Sequence, residues 1–262
     1  MVLRCLSDAD AVIIGGQGVN VWSLVYEKPA AEPWRSSRPY TSVDADALAD
    51  RAQMVKLARL LEAAGFNVRV QVPRAEEESV VNTGVVVATK SDLELSINLL
   101  QTVLGLSNQD IRTNAVNLVW EETAVRLLHP LLCVESKTQN LLRLPQDSPE
   151  APRQDKKHLV LSIANLREHL LQRSTPPLAA QGLHIARRLV DFAYQEPGRN
   201  VLTRHQLDLL DGIPWPAWRA NAVAELREFA GREPEFRKEI QERLEAEAEI
   251  TRWIAELKAR TK

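Results

Sequence analysis

The stretch Ala11-Val12-Ile13-Ile14-Gly15-Gly16-Gln17-Gly18-Val19-Asn20-Val21-Trp22, followed downstream by Tyr40-Thr41-Ser42-Val43-Asp44-Ala45-Asp46, sets the expectation for the N-terminal half of the chain. An apolar run closed by Gly-Gly reads as a buried strand ending in a tight turn. Val19, Trp22 and Val25–Tyr26 then recur at helical spacing, which predicts a short helix over 17–26. Pro29, Pro33 and Pro39 punctuate a loop over 27–43. Asp44 and Asp46 stand two residues apart, and on an extended segment such a pair points to one face. Two carboxylates that close repel and require a cation, and Mg²⁺ takes such oxygens together with substrate phosphates. Glycines at the strand end let the backbone approach phosphate oxygens, and the N-terminus of the next helix favours an anion. Together these are the parts of a metal-dependent phosphoryl or nucleotidyl transfer site. Each part also has a plainer reading. The Gly-Gly pair can be a turn and nothing more, and Asp-x-Asp can cap a helix beginning near Ala47. A dinucleotide site of the Rossmann kind is disfavoured, because Gly-Gly-Gln-Gly lacks the full spacing and no acidic residue follows a second strand at the right interval.

Working outward, residues 47–64 show a 3.6-residue apolar period ended by Gly65, which predicts a helix with a glycine C-cap. Phe66 to Val72 alternates strictly, as a half-buried strand does. Val85–Ala88 is a further apolar run, and Leu93, Leu95, Ile97 and Leu99 alternate with polar residues. Asn114–Trp120 is read as the last strand of this half. From about Leu131 strand patterns give way to helical ones. Residues 145–155 form a polar, proline-punctuated connection, and helices are expected over 157–173, 178–194, 204–211, 217–230 and 234–260. Glu196-Pro197-Gly198 reads as a stop. The expected fold class is α+β, with a mixed-sheet domain over 1–125 and an all-helical domain over 126–262.

Composition narrows the field of functions. The chain has 262 residues, 45% of them apolar and 26% charged, the balance of a globular protein rather than of a disordered or fibrous one. Thirty-three Lys plus Arg against 35 Asp plus Glu leave a formal charge of -2, so nucleic-acid binding would need a local basic patch. Cys5 and Cys133 are far apart and have no ligand-spaced partner, which argues against a disulfide framework and against a cysteine metal site. No run approaches the ~20 apolar residues of a membrane helix. The N-terminus has no signal-peptide pattern. A cytoplasmic location and no membrane partner are therefore expected.

The order Val-Ile-Ile-Gly-Gly-Gln-Gly-Val-Asn-Val-Trp, then Tyr-Thr-Ser-Val-Asp-Ala-Asp, resembles the minimal nucleotidyltransferases of the DNA polymerase β superfamily, in the branch related to abortive-infection toxins. The resemblance continues through Leu95–Leu100, Val103–Leu106, His129-Pro130-Leu131 and Lys137–Leu142, and spans roughly residues 10–170. It implies a nucleotidyltransferase fold and transfer of a nucleoside monophosphate from a nucleoside triphosphate to a hydroxyl of RNA, protein or a small molecule. Gly15, Gly16, Gln17 and Ser42 would contact the nucleotide, and Asp44 and Asp46 would hold Mg²⁺. An antitoxin-like partner belongs to the same picture. A third carboxylate of the family pattern falls where this chain has Asn98. An amide cannot accept a proton as a base. Glu94 lies about 13 Å away along the same strand, too far to replace it without a different geometry. The site is therefore either a two-aspartate enzyme or an impaired one that binds a nucleotide or a partner. Lys137 and Lys157 are further candidates for the nucleotide. Lys157 stands in the cluster Arg153, Lys156, Lys157 and His158 at a helix start, which can face phosphates or simply face solvent. Trp215 and Trp218 read as core or interface residues.

Overall fold

The computed structural model describes residues 1–40, 45–73, 82–120, 122–146 and 153–260. In chain order the first elements are α1 (Val2–Asp8), β1 (Val12–Ile13), α2 (Gly15–Tyr26), α3 (Trp34–Ser37), β2 (Ala45–Leu48), α4 (Arg51–Ala63) and β3 (Asn67–Gln71). They continue with β4 (Asn82–Lys90), β5 (Leu93–Leu100), α5 (Asn108–Asn114), β6 (Val116–Trp120), β7 (Thr123–Leu127), α6 (Pro130–Arg143) and α7 (Asp155–Leu171). The strands form a seven-stranded mixed sheet in the order β3-β4-β5-β2-β1-β7-β6. β1 runs antiparallel to β2 and parallel to β7, and β2 runs parallel to β5. The apolar core lies between this sheet and its helices: Val12, Ile13, Ala47, Leu48, Ile97 and Leu99 from the sheet are at most 1% exposed and join Leu57, Leu61 and Leu161 from the helices.

Most of the alternating and periodic segments fold as their patterns predict, but the helix expected over 204–211 is replaced by the end of a helix over Glu196–His205 and a 3₁₀ turn over Leu209–Gly212, and the one expected over 217–230 is split into two short helices. β3 and β6 lie within the expected strands, β4 and β5 contain the expected apolar runs and extend beyond them, and α2 begins at Gly15, directly after the apolar run. The helix expected from residue 47 is corrected: Ala47 and Leu48 belong to β2, and α4 starts at Arg51. An Ala-Leu pair favours helix intrinsically, but here it is hydrogen-bonded to β1 on one side and β5 on the other, and burial on both edges wins. The capping role belongs to Asp50, whose side chain accepts from the Gln53 amide at 2.9 Å while Gln53 reaches back to the Asp50 N–H at 2.9 Å. Strand β7, unforeseen from the sequence, follows β6 through a turn in which Glu122 adopts φ +65°.

Two compact units divide at Asn165/Leu166. The domain boundary expected at 125/126 does not coincide with that division. Leu132 and Cys133 of α6 and Leu161 and Ala164 of α7 are buried in the core of the first unit. The second unit is helical: α8 (Ala179–Tyr194), α9 (Glu196–His205), a 3₁₀ turn over Leu209–Gly212, α10 (Trp215–Arg219), α11 (Ala224–Gly231) and α12 (Glu233–Arg260). α8 ends at Tyr194, just before Glu196-Pro197-Gly198 as expected, and the same tripeptide opens α9, with proline in the first turn where its missing N–H costs nothing. Trp215, Trp218, Phe229 and Phe236 pack ring on ring in the core of this unit. Trp218 also donates to the Ser174 hydroxyl at 2.8 Å. Among the described residues no helix is long and apolar enough to cross a membrane.

Candidate functional site

Helix α2 leaves the sheet directly from β1, and its N-cap is Ile14, which has no polar side chain to offer the first amides. The first-turn N–H groups of Gly15, Gly16 and Gln17 are therefore not capped by a side chain, the condition under which a helix N-terminus takes an anion. Gly15 sits at φ +63°, and a Cβ there would lie 2.1 Å from Oδ2 of Asp46. Only glycine satisfies both the left-handed backbone and the close approach of the carboxylate. Asp46 is placed by the sheet. Its carbonyl accepts from the Ile14 N–H at 3.0 Å, and its backbone pairs with Asn98 of β5 in parallel register.

Asn98 stands beside Asp46, and its Nδ2 donates to Asp46 Oδ1 at 3.3 Å. Both side chains are half-buried. The amide satisfies the carboxylate where a second carboxylate would repel it. Glu94 is exposed at the far end of β5, paired in register with Thr89, and is not part of this group. Asp44 and Ser42 lie outside the described residues. Gln17 is half-buried in the first turn of α2.

The opposite side of Gly16 is closed by α7. A Cβ on Gly16 would come 2.7 Å from Cε1 of His158 and 3.4 Å from its Nε2. His158 is 7% exposed, and its Nε2 has no hydrogen-bond partner. Burial, with a lesser push from the Lys137 charge, lowers its pKa to about 4, so the imidazole is neutral at pH 7. One turn earlier, Asp155 is held between two cations. Lys137 Nζ lies 3.0 Å from Oδ1 and Arg153 Nε 2.6 Å from Oδ2. Burial alone would raise this carboxyl, but the charge of Lys137 and the hydrogen bond from Arg153 bring it below the usual carboxylate range. Lys137 thus spends its charge on a buried ion pair linking α6 to α7, a contact between residues 18 apart that no local pattern reveals. His129 caps α6 by accepting the Leu131 N–H on Nδ1 at 3.1 Å, a structural role.

Lys157 lines a separate shallow cleft of about 510 Å³ with Arg153, Lys156, Ser36 and Ser37. Among the described residues neither Lys156 nor Lys157 has a salt-bridge partner. The described sequence-predicted residues thus separate: Gly15, Gly16, Gln17, Asp46 and Asn98 stand at the start of α2, Lys157 belongs to the basic cleft, and Lys137 is taken up in its ion pair with Asp155. Asp155 and His158 were not singled out in these roles by the sequence: the ion pair of Asp155 with Lys137 links α6 to α7, and His158 meets Gly16 only when α7 packs against α2.

The residues present suit a Mg²⁺ ion in a minimal way. A carboxylate beside an uncapped helix N-terminus would repel a bound phosphate unless a cation stood between them. Asp46 offers that carboxylate and Asn98 an amide oxygen. Mg²⁺ commonly takes one or two carboxylates and completes its shell with phosphate and water oxygens. Among the described residues no three His, Cys, Asp or Glu side chains converge as a ready-made metal cage.

No protein-family model matches the chain, and no curated protein does. Among solved structures it is similar to JHP933 from Helicobacter pylori at 12% identity, over 97% of this chain and 93% of that one, with a TM-score of 0.34.

Proposed function

We propose that the chain has a nucleotidyltransferase-type fold and that the Gly15–Gly16 turn binds a nucleoside triphosphate. The reading rests on one observation above the others: the α-carbon of Gly15, at an uncapped helix N-terminus, lies against the carboxylate of Asp46 beside Asn98. In it the first-turn amides of α2 hold phosphate oxygens, and Asp46, with Asp44 of the preceding segment, holds Mg²⁺. The ion, when bound, neutralises phosphate charge. The reaction is attack of an acceptor hydroxyl on the α-phosphorus, with pyrophosphate leaving; RNA, a protein side chain and a small molecule are the candidate acceptors. His158 keeps Gly16 from moving back, and the neutral ring adds no charge of its own. Lys137 acts at a distance, by fixing Asp155 and with it the first turn of α7.

A second reading is favoured by the hydrogen bond from Asn98 to Asp46. An amide in that place removes a proton acceptor, which suits a protein that binds a nucleotide, or an antitoxin-like partner, without turnover.

Calorimetric titration of each of the four nucleoside triphosphates, with and without Mg²⁺, tests the site. Metal-dependent binding that disappears in Asp46→Asn supports it, and binding unchanged in that variant removes it. Incubation with labelled triphosphate and candidate acceptors then separates the two readings. Transfer by the native chain supports the enzyme, whereas transfer only in Asn98→Asp supports the binding module.

A further inference from the structure

Helix α12 changes character halfway along. Phe236 and Ile240 are buried in the second unit, Leu244 is half-buried, and Glu247 is still tied back to Arg199 of α9. From Glu245 to Ala259 every residue is exposed, a length of about 22 Å at the helical rise. The apolar pattern nevertheless continues. Ile250, Trp253, Ile254 and Leu257 follow at helical spacing on one stripe, with exposures of 57%, 62%, 41% and 41%. An isolated turn of helix gains little from propensity, so a stripe of this kind is stabilised chiefly by being covered. An exposed tryptophan at its centre is the residue type that most often carries binding energy.

The charges around the stripe are segregated. Glu242, Glu245, Glu247 and Glu249 precede it, and Arg252, Lys258 and Arg260 lie within or after it, with Arg243 and Glu256 the exceptions. A parallel pair of such helices would set acid on acid and base on base. Turned end for end, the helix is complementary to itself. We propose that the second half of α12 is a self-association surface, and that its occupant is the same segment of a second copy of this chain, packed antiparallel. The arrangement is isologous: each copy presents the stripe it receives. Four side chains bury less than the roughly 800 Å² per partner of a standard interface, so the dimer forms reversibly, at micromolar concentrations and above. This inference is independent of the nucleotide site.

Sedimentation equilibrium on the full chain up to about 200 µM, a range that reveals weak micromolar dimers, is the first measurement. A monomer–dimer equilibrium is expected, and a strict monomer overturns the proposal. Ile250→Glu with Ile254→Glu should raise the dissociation constant at least tenfold while the circular dichroism stays native, since both side chains are exposed. An unchanged constant places the interface elsewhere. Orientation is read by disulfide formation. Both native cysteines are buried, so introduced thiols report alone. Glu249→Cys mixed with Lys258→Cys should cross-link to the mixed dimer, with Glu249→Cys by itself linking poorly. Efficient linking of Glu249→Cys to itself shows a parallel pair and overturns the antiparallel one.

Discussion

Alanine at position 16 would place its methyl 2.7 Å from Cε1, 3.3 Å from Nδ1 and 3.4 Å from Nε2 of His158. Methyl and ring cannot share that space, and His158, 7% exposed, has little room to swing away. Forcing one extra carbon into a packed site typically costs about 1–3 kcal/mol. Against this, alanine in a helix gains roughly 0.5–1 kcal/mol over glycine. The steric term wins, and Gly16→Ala is expected to destabilise the native chain by about 1–2 kcal/mol. In a His158→Ala background the obstacle is gone and only the helix gain remains, so the same change should be neutral or stabilising by up to ~1 kcal/mol. The coupling between the two positions is then about 2 kcal/mol, well above the few tenths expected of sites that do not touch. Urea denaturation of the four proteins of the cycle, at pH 7.5 where the imidazole is neutral, measures it. Equal costs of Gly16→Ala in both backgrounds would refute the packing of α7 against the start of α2.

The same histidine gives a pH dependence. Its pKa falls from 6.5 to about 4 on folding, so the unfolded chain binds the extra proton between those values. Stability should decline as pH falls from about 6.5 towards 4, with a slope approaching ~1.4 kcal/mol per pH unit, and His158→Gln should flatten that part of the profile. Asn98→Asp puts a second carboxylate beside Asp46, so the variant should melt below the native protein at pH 7, by about 1–2 kcal/mol in stability, with millimolar Mg²⁺ restoring the loss; native stability at pH 7 without Mg²⁺ would contradict the placement of the two side chains. Lys137→Met leaves Asp155 with Arg153 alone, and losing one partner of a buried pair should cost about 3 kcal/mol, read by thermal unfolding. Burial pushes the Cys133 thiol up to about 12, so in the native protein it should not react with a thiol reagent at pH 8, and fast labelling would show that α6 opens.

How much of this was legible in the sequence depended on whether the signal was local. Strict alternation gave β3 and β5, and the 3.6-residue period gave α4 and α12 to within a few residues. β2 was misjudged because Ala-Leu carries helix propensity, and what overrides it is hydrogen bonding to β1 and β5, which lie far away in sequence. β7 escaped because the sequence between Trp120 and Thr123 is Glu-Glu, with no glycine or asparagine to mark a reversal. At the site, Gly15 and Asp46 stood in the Gly-Gly and Asp-x-Asp segments, and Asn98 was pointed to only by the resemblance to the nucleotidyltransferase pattern. His158 looked like one member of a basic helix start, although it is buried and neutral in the folded chain. Lys137 and Asp155 find each other only when α6 and α7 pack together.

Strand β2 is the fourth of seven, hydrogen-bonded on both edges. An amide in the middle of a sheet exchanges with solvent only when the sheet itself opens, whereas edge strands and helix ends fray at far lower free energy. Asp46 therefore rides on the slowest-opening part of the first unit. Heating or mild denaturant should release β3 and β6 from protection well before position 46, so the carboxylate keeps its station until cooperative unfolding begins. A chain that loses its Gly15–Asp46 geometry has, by that token, already lost its core.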